Sequence, residues 1–303
     1  MTNKKIDSSL EYDNRKSTIG NRPRVTVVIP TYNGASVVVR CIESVRQHRD
    51  VEEVIVVDNN STDDTVELAY QHGATIRRSP INVGFGAACD IGIAQARSQL
   101  ILLLNQDAAY VQGLSSAIDT ITNTASVSCV GGLMYSSAGE LRPSIMRYPR
   151  LRSVVMKRMS YTGDEEKLIR RSFPAVEPVD YFEFSLALLD KQKYLDCGGF
   201  DTRYFMYGEE RDLVYRMSAS GDLCVVNRDL HYIHDGGYSA QRELLVIKGL
   251  VTFLNDHVKP HKRRLLKLVV VAKCTFKLAK AKIFDQSRPA YNLRDVYELT
   301  VRR

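Results

Sequence analysis

The chain has 303 residues, 44% of them hydrophobic, and a net charge of +7, enough apolar content to bury a sizeable core in one large domain or two small ones. Its six cysteines are scattered without a C-x-x-C pair, which argues against a disulfide framework or a zinc site and fits reduced thiols in the cytosol. No run of about 18 apolar residues is present, so no transmembrane helix is expected, and the polar first twenty or so residues lack the apolar core of a signal peptide.

Residues 1–23 read as a loose polar lead-in. Val25–Ile29 is a buried strand stopped by Pro30, Thr31–Gly34 is a turn, and Ala35–Gln47 has helical spacing. Val54–Val57 is a second strand ending in Asp58-Asn59-Asn60-Ser61, followed by a helix over 63–71 and a short strand over 74–77. Asn82-Val83-Gly84-Phe85-Gly86 turns into a helix over 87–97. Ile101–Leu104 then reads as a strand buried on both faces, ending in Asn105-Gln106-Asp107. A helix near 113–122 and a strand near 127–133 complete this half. Such alternation predicts a mostly parallel sheet flanked by helices.

Residues 134–178 break the rhythm with many arginines and read as an irregular insertion beside a site. A strand over 179–189, a short helix over 190–195, a helix over 209–220 ended by Gly221 and a strand over 223–226 follow. His231–Ala240 reads as a loop, and the chain is helical from Glu243. Between Lys248 and Phe284 ten Lys/Arg stand against Asp256 alone, a basic tail that suits an anionic partner.

Several stretches carry chemistry, each with a plainer alternative. Asp107 follows a buried strand at the sheet edge where α/β folds hold ligands, and suits a hard cation as well as a helix cap. Asp58 can accept from a nucleobase or ribose, or close an Asx turn. Asn82-x-Gly84-x-Gly86 allows close approach of a phosphate, or is an ordinary glycine turn. Glu209-Glu210-Arg211-Asp212 supplies a base for a sugar hydroxyl, or complements the helix dipole. His234 is a metal ligand or a satisfied loop histidine.

Taken together and in order, the stretches VVIPTYNG, VVDNNSTDDT, NVGFGAACDIGI, ILLLNQDA, GGFDTRYFMYGEERDL and HDGGYSA resemble the family-2 inverting glycosyltransferases of GT-A fold, especially the rhamnosyltransferase-like branch. The resemblance implies a Rossmann-like, mostly parallel sheet in a GT-A domain over 24–240, with a nucleotide-sugar half to about 133 and an acceptor half beyond it. Residues 241–303 are then a basic helical extension. It implies that Thr31, Tyr32, Asp58, Asn82, Gly84, Asn105 and Asp107 bind the nucleotide-sugar. Glu210 is then the base with Glu209 beside it, and Asp107 and His234 hold Mg²⁺ or Mn²⁺.

The implied reaction moves rhamnose or another hexose from a dTDP- or UDP-linked donor to a glycan or polyprenyl-diphosphate-linked acceptor in cell-envelope polysaccharide synthesis. The alternative is a catalytically impaired, sugar-nucleotide-binding scaffold. Departures from the family pattern are Asn105 for the first metal-motif acid, Gln106 for proline, Asp90 for asparagine and Glu210 for aspartate. Phe184-Ser185 also replaces a small pair, with bulk that reshapes the pocket. The glycine-rich loop of a sugar nucleotidyltransferase is absent after the first strand, and no nucleic-acid-binding module is recognised. A cytoplasmic protein is expected, peripheral on an anionic membrane through 260–284, with a helix packed on the core as the alternative.

Overall fold

A computed structural model describes residues 23–149, 175–236, 240–283 and 292–300. The lead-in over 1–22, the basic stretch 150–174 of the insertion, and residues 237–239 of the HDGGYSA stretch lie outside the described residues.

Strands β1 (Val25–Thr31), β2 (Val51–Asp58), β3 (Thr75–Arg78) and β4 (Leu100–Leu104) alternate with helices α1 (Val38–Arg46), α2 (Thr65–Gln71) and α3 (Phe85–Gln95). The strands pair in parallel in the order β3-β2-β1-β4. The chain continues through β5 (Ala108–Gln112), α4 (Leu114–Asn123), β6 (Val127–Tyr135), β7 (Leu141–Arg142), β8 (Ile145–Met146), β9 (Val176–Pro178) and β10 (Tyr181–Phe182). Then come β11 (Leu186–Asp190), α5 (Lys191–Asp196), α6 (Glu209–Ala219) and β12 (Leu223–His234). The main sheet runs β3-β2-β1-β4-β11-β6-β12-β5. It is a mixed sheet: β11 is antiparallel to β4 and β6, whereas β6 and β12 are parallel. Helices α7 (Ala240–His257), α8 (Pro260–Ile283) and α9 (Leu293–Thr300) complete the chain.

The apolar run at β4 explains the centre of this arrangement. Successive strand residues point to opposite faces. Leu100, Leu102 and Leu104 enter one core cluster with α1 and α4, and Ile101 and Leu103 enter the other with α3. A polar residue at any of these positions would lie in a dry core, so the first polar group, Asn105, marks where the strand reaches the sheet's edge.

Three local readings change. The loop expected over 231–240 is strand as far as His234, because β12 pairs antiparallel with β5, placing His234 opposite Ala108. Strand β5 itself was not expected; it begins Ala-Ala, a weak strand signal, and owes its form to that pairing. The strand expected over 179–189 divides into β10 and β11, and Glu183, Phe184 and Ser185 form the break.

The C-terminal helices have their own apolar cluster, built from Ile247, Leu250, Val251 and Leu254 of α7, Leu266, Val270 and Cys274 of α8, and Val296 of α9. Helix α7 also docks on α6. A Cβ at Gly249 would lie 1.9 Å from the Tyr207 carbonyl oxygen, so glycine permits a backbone-to-backbone approach. The His257 ring nitrogen Nε2 lies 2.6 Å from Asp212 Oδ1.

Helix α3 meets the sheet in the same way. A Cβ at Gly92 would lie 2.4 Å from Val28 Cγ1 and 3.0 Å from Val57 Cγ2. Gly92→Val should therefore destabilise the chain by about 1–3 kcal/mol through overpacking and lower Tm by about 2–8 °C, measured by thermal unfolding. An unchanged Tm would show that α3 is not held this closely.

Candidate active site

Chain segments from both halves of the sheet border one cleft of about 400 Å³. Of the residues expected to act, Thr31, Tyr32, Asn82, Gly84, Asn105, Asp107, Glu209, Glu210 and His234 all line it. Asp58 does not line it. Its buried carboxylate accepts the Ser61 N–H at 3.1 Å and lies 3.5 Å from Arg78 Nε, which orders the turn after β2. Asn59, next in that turn, does line the cleft.

The carboxyl end of β4 forms the floor. The Asn105 N–H donates to the Ser185 carbonyl at 3.0 Å. Gln106 is tied to the first loop: its Oε1 accepts the Tyr32 N–H at 2.9 Å and its Nε2 donates to the Tyr32 carbonyl at 3.2 Å. The residue that departs from the family's proline thus fastens the loop carrying Thr31 and Tyr32. The Asn105 Oδ1 is buried and accepts no hydrogen bond, an arrangement that costs about 1–3 kcal/mol unless a ligand completes it.

Asp107 and His234 meet because of the β5–β12 register. Ala108 pairs with His234, and the Asp107 Oδ1 lies 3.3 Å from His234 Nε2. Burial pushes the Asp107 carboxyl up, but the His234 hydrogen bond and charge outweigh it, so Asp107 is held below the usual carboxylate range. Asp107 therefore stays anionic. Among the described residues no group of three or more His, Cys, Asp or Glu converges for a metal. Asp107, His234 and the orphaned Asn105 oxygen are oxygen and nitrogen donors that suit Mg²⁺ or Mn²⁺, as a partial shell that a bound diphosphate would complete.

The start of α6 also lines the cleft. Tyr207 has φ of +69° and Gly208 has φ of +102°. The left-handed backbone at a tyrosine costs about 1–2 kcal/mol, and it turns the chain so that α6 begins at the cleft. Glu209 is buried, with Oε2 lacking a partner. Burial, and then the charge of Glu210, raise its pKa well above the ordinary range. Glu210 accepts the Gly208 N–H at 3.0 Å. Burial also raises Glu210, with Arg211 and backbone N–H groups opposing and Glu183 adding to the rise.

Two lining residues that carry a role, Glu183 and Arg242, were not legible in the sequence. Glu183 sits in the break between β10 and β11. Arg242, in the first turn of α7, lies 3.9 Å from the Glu183 carboxylate and stacks over the Tyr207 ring at 4.8 Å. No spacing singled out Arg242, since it lies in the stretch read as the beginning of the helical tail. Phe184, the bulky departure, lines the cleft and packs against Phe182 and Phe200, and Ser185 bonds Tyr232 Oη at 3.0 Å. The bulk is thus part of an aromatic wall. Asp90, the other departure, accepts from the Tyr194 hydroxyl and the Phe200 N–H and braces the loop leading to α6.

A sequence profile described as Glycosyl transferase family 2 matches residues 26–191. The chain is 27% identical over 212 residues, 63% of its length and 68% of the relative's, to N-acetylglucosaminyl-diphospho-decaprenol L-rhamnosyltransferase of Mycobacterium tuberculosis. Its fold is similar to that of GalNAc-T7 with UDP, GalNAc and Mn²⁺, with a TM-score of 0.64 at 15% identity. That match covers 92% of this chain and 56% of the other, so the chain spans little more than half of that protein's length. Mannosyltransferase PcManGT of Pyrobaculum calidifontis, in complex with GDP-Man and Mn²⁺, matches with a TM-score of 0.57 at 17% identity, over 92% of this chain and 79% of the other. At these identities the two structures establish the fold.

The buried Glu209 makes stability depend on pH. A carboxyl whose pKa is raised on folding contributes stability that is full below its unfolded value and lost as pH rises through its folded value. Glu209→Gln keeps the neutral shape without the titration. Its Tm should match wild type at acid pH and exceed it at neutral and alkaline pH, read by thermal unfolding across a pH series. A variant less stable than wild type at alkaline pH would contradict the buried, raised carboxyl.

Proposed function

We propose that this chain, which belongs to glycosyl transferase family 2, is a metal-dependent inverting hexosyltransferase. It takes a sugar, rhamnose first among candidates, from a dTDP- or UDP-linked donor. The sugar passes to a glycan or polyprenyl-diphosphate-linked acceptor of the cell envelope. The observation that carries this reading is the convergence in one cleft of the Asp107–His234 pair with the Glu209–Glu210 pair. The L-rhamnosyltransferase relative, named for a decaprenol-diphosphate substrate, supports the choice of sugar and acceptor class. The Mn²⁺ in two structures of the same fold supports the cation.

Each group has a task that its surroundings suit. The loop after β1 and the glycine turn at Gly84 border the nucleotide. A Cβ at Gly84 would lie 2.1 Å from the Phe205 carbonyl oxygen, so the turn fits only as glycine against the segment leading to α6. Asp107 and His234, with Asn105 beside them, would hold the divalent cation, which would supply positive charge against the diphosphate leaving group. Arg242, 3.9 Å from the Glu183 carboxylate, lines the same cleft as Asp107 and offers a second cation to the same phosphates.

Glu210 removes the proton of the acceptor hydroxyl as that oxygen attacks the anomeric carbon from the face opposite the diphosphate. One C–O bond forms as the bond to the diphosphate breaks, so configuration inverts and no sugar–enzyme bond forms. A carboxylate raised by burial is a stronger base than an exposed one, while the α6 N-terminus still favours its anion. The alternative of a binding-only scaffold draws on Phe184-Ser185 and Glu210. Phe184 packs as wall, and Glu210 lines the cleft.

Asp107→Ala and Glu210→Gln should each lower donor turnover by on the order of 10²- to 10⁴-fold. Arg242→Ala should weaken donor binding by about tenfold or more. Turnover assays and calorimetric titration on variants with native circular dichroism check this. Near wild-type turnover in both Asp107→Ala and Glu210→Gln would remove these assignments.

A further inference from the structure

Helix α8 has two apolar faces and uses one of them. Leu266, Val270 and Cys274, four residues apart, are buried against α7 and α9. On the other side Leu265, Leu268 and Phe276 are 46%, 64% and 70% exposed. With Ala272 and Ala279, also exposed, they recur at intervals of three and four residues and form one stripe. At 1.5 Å per residue the stripe is about 21 Å long. The angular step of the helix puts Arg264 on one flank and Lys262, Lys273 and Lys280 on the other. No Asp or Glu occurs anywhere in α8.

We propose that this face of α8 docks the protein on the surface of an anionic lipid bilayer, with the stripe in the acyl boundary and the flanking cations at the headgroups. The pattern matches a helix lying in the interface plane, apolar in the middle and basic at both edges. No helix among the described residues is long and apolar enough to cross a membrane, so the contact is peripheral. A second copy of the chain fits the stripe less well, because the flanking cations would meet their own kind. A nucleic acid would satisfy the cations and leave Leu268 and Phe276 in water. The inference rests on α8 alone and does not require the transferase reading.

The test is flotation of the full chain with phosphatidylcholine vesicles, and with vesicles in which about one third of the lipid is phosphatidylglycerol. Wild type should float with the anionic vesicles and not with the neutral ones, and added salt should weaken binding. Leu268→Gln with Phe276→Gln should lower partitioning by about tenfold or more. Lys262→Glu, Arg264→Glu and Lys280→Glu together should lower it by on the order of 100-fold, about fivefold per cation removed. These side chains are exposed, so Tm should stay near wild type, and the two sets report independently if one of them perturbs folding.

Equal recovery with both vesicles, recovery with neither, or variants that float like wild type would overturn the proposal. So would a concentration-dependent dimer that the Leu268 and Phe276 changes abolish, since the occupant would then be a second copy. Donor binding measured on the same samples reads the transferase assignment separately.

Discussion

Strand β4 has water on neither face, and the rest of the site follows from that constraint. Its residues alternate between two cores that lie on opposite sides of the sheet, and its edges are taken by β1 and β11. Burial of each such Leu or Ile is worth about 1.5–3 kcal/mol, so the strand cannot slide without exposing its side chains or burying a polar one. Asn105, Gln106 and Asp107 therefore emerge at one fixed place. Gln106 fastens the first loop, Asn105 fastens the break before β11, and Asp107 leads directly into β5. The pairing of β5 with β12 then brings His234 to Asp107.

The start of α6 in the cleft lining carries strain and desolvation. A left-handed tyrosine, a buried carboxyl with one oxygen unpartnered and a second carboxyl raised by burial all stand at the start of α6. Strain and desolvation of this kind persist only where surrounding packing over-determines them. Here the packing comes from α7, whose Gly249 lies against the Tyr207 backbone and whose Arg242 reaches the cleft. The C-terminal helices thus buttress the start of α6 as well as carrying the basic face.

Much of this was legible in the residues. The Ile-Leu-Leu-Leu run announced β4, because four apolar residues suit a strand dry on both sides. The glycine turn announced the start of α3, and the three acids after Gly208 announced the start of α6. What escaped is what depends on distant pairing. The strand β5 is two alanines and three residues of mixed character, and only β12 across from it makes it a strand. The extension of β12 to His234 escaped for the same reason. Glu183 acts through a break inside an otherwise strand-like run, and Arg242 through the docking angle of a helix. Asp58 shows the reverse case: its position after β2 was clear, whereas its enclosure by Ser61 and Arg78 depended on the turn and on a neighbouring strand.

In the proposed reading this cleft is a nucleotide-sugar site in which a divalent cation would complete the contact between Asp107 and the diphosphate. A thermal-shift series with dTDP- and UDP-linked sugars, with and without Mn²⁺, tests it most directly, since a ligand that binds the folded chain raises Tm by mass action. The expected result is a rise with at least one nucleotide-sugar that grows when Mn²⁺ is present and loses that increment in Asp107→Ala. No rise with any donor, or a rise indifferent to both Mn²⁺ and Asp107, would contradict it.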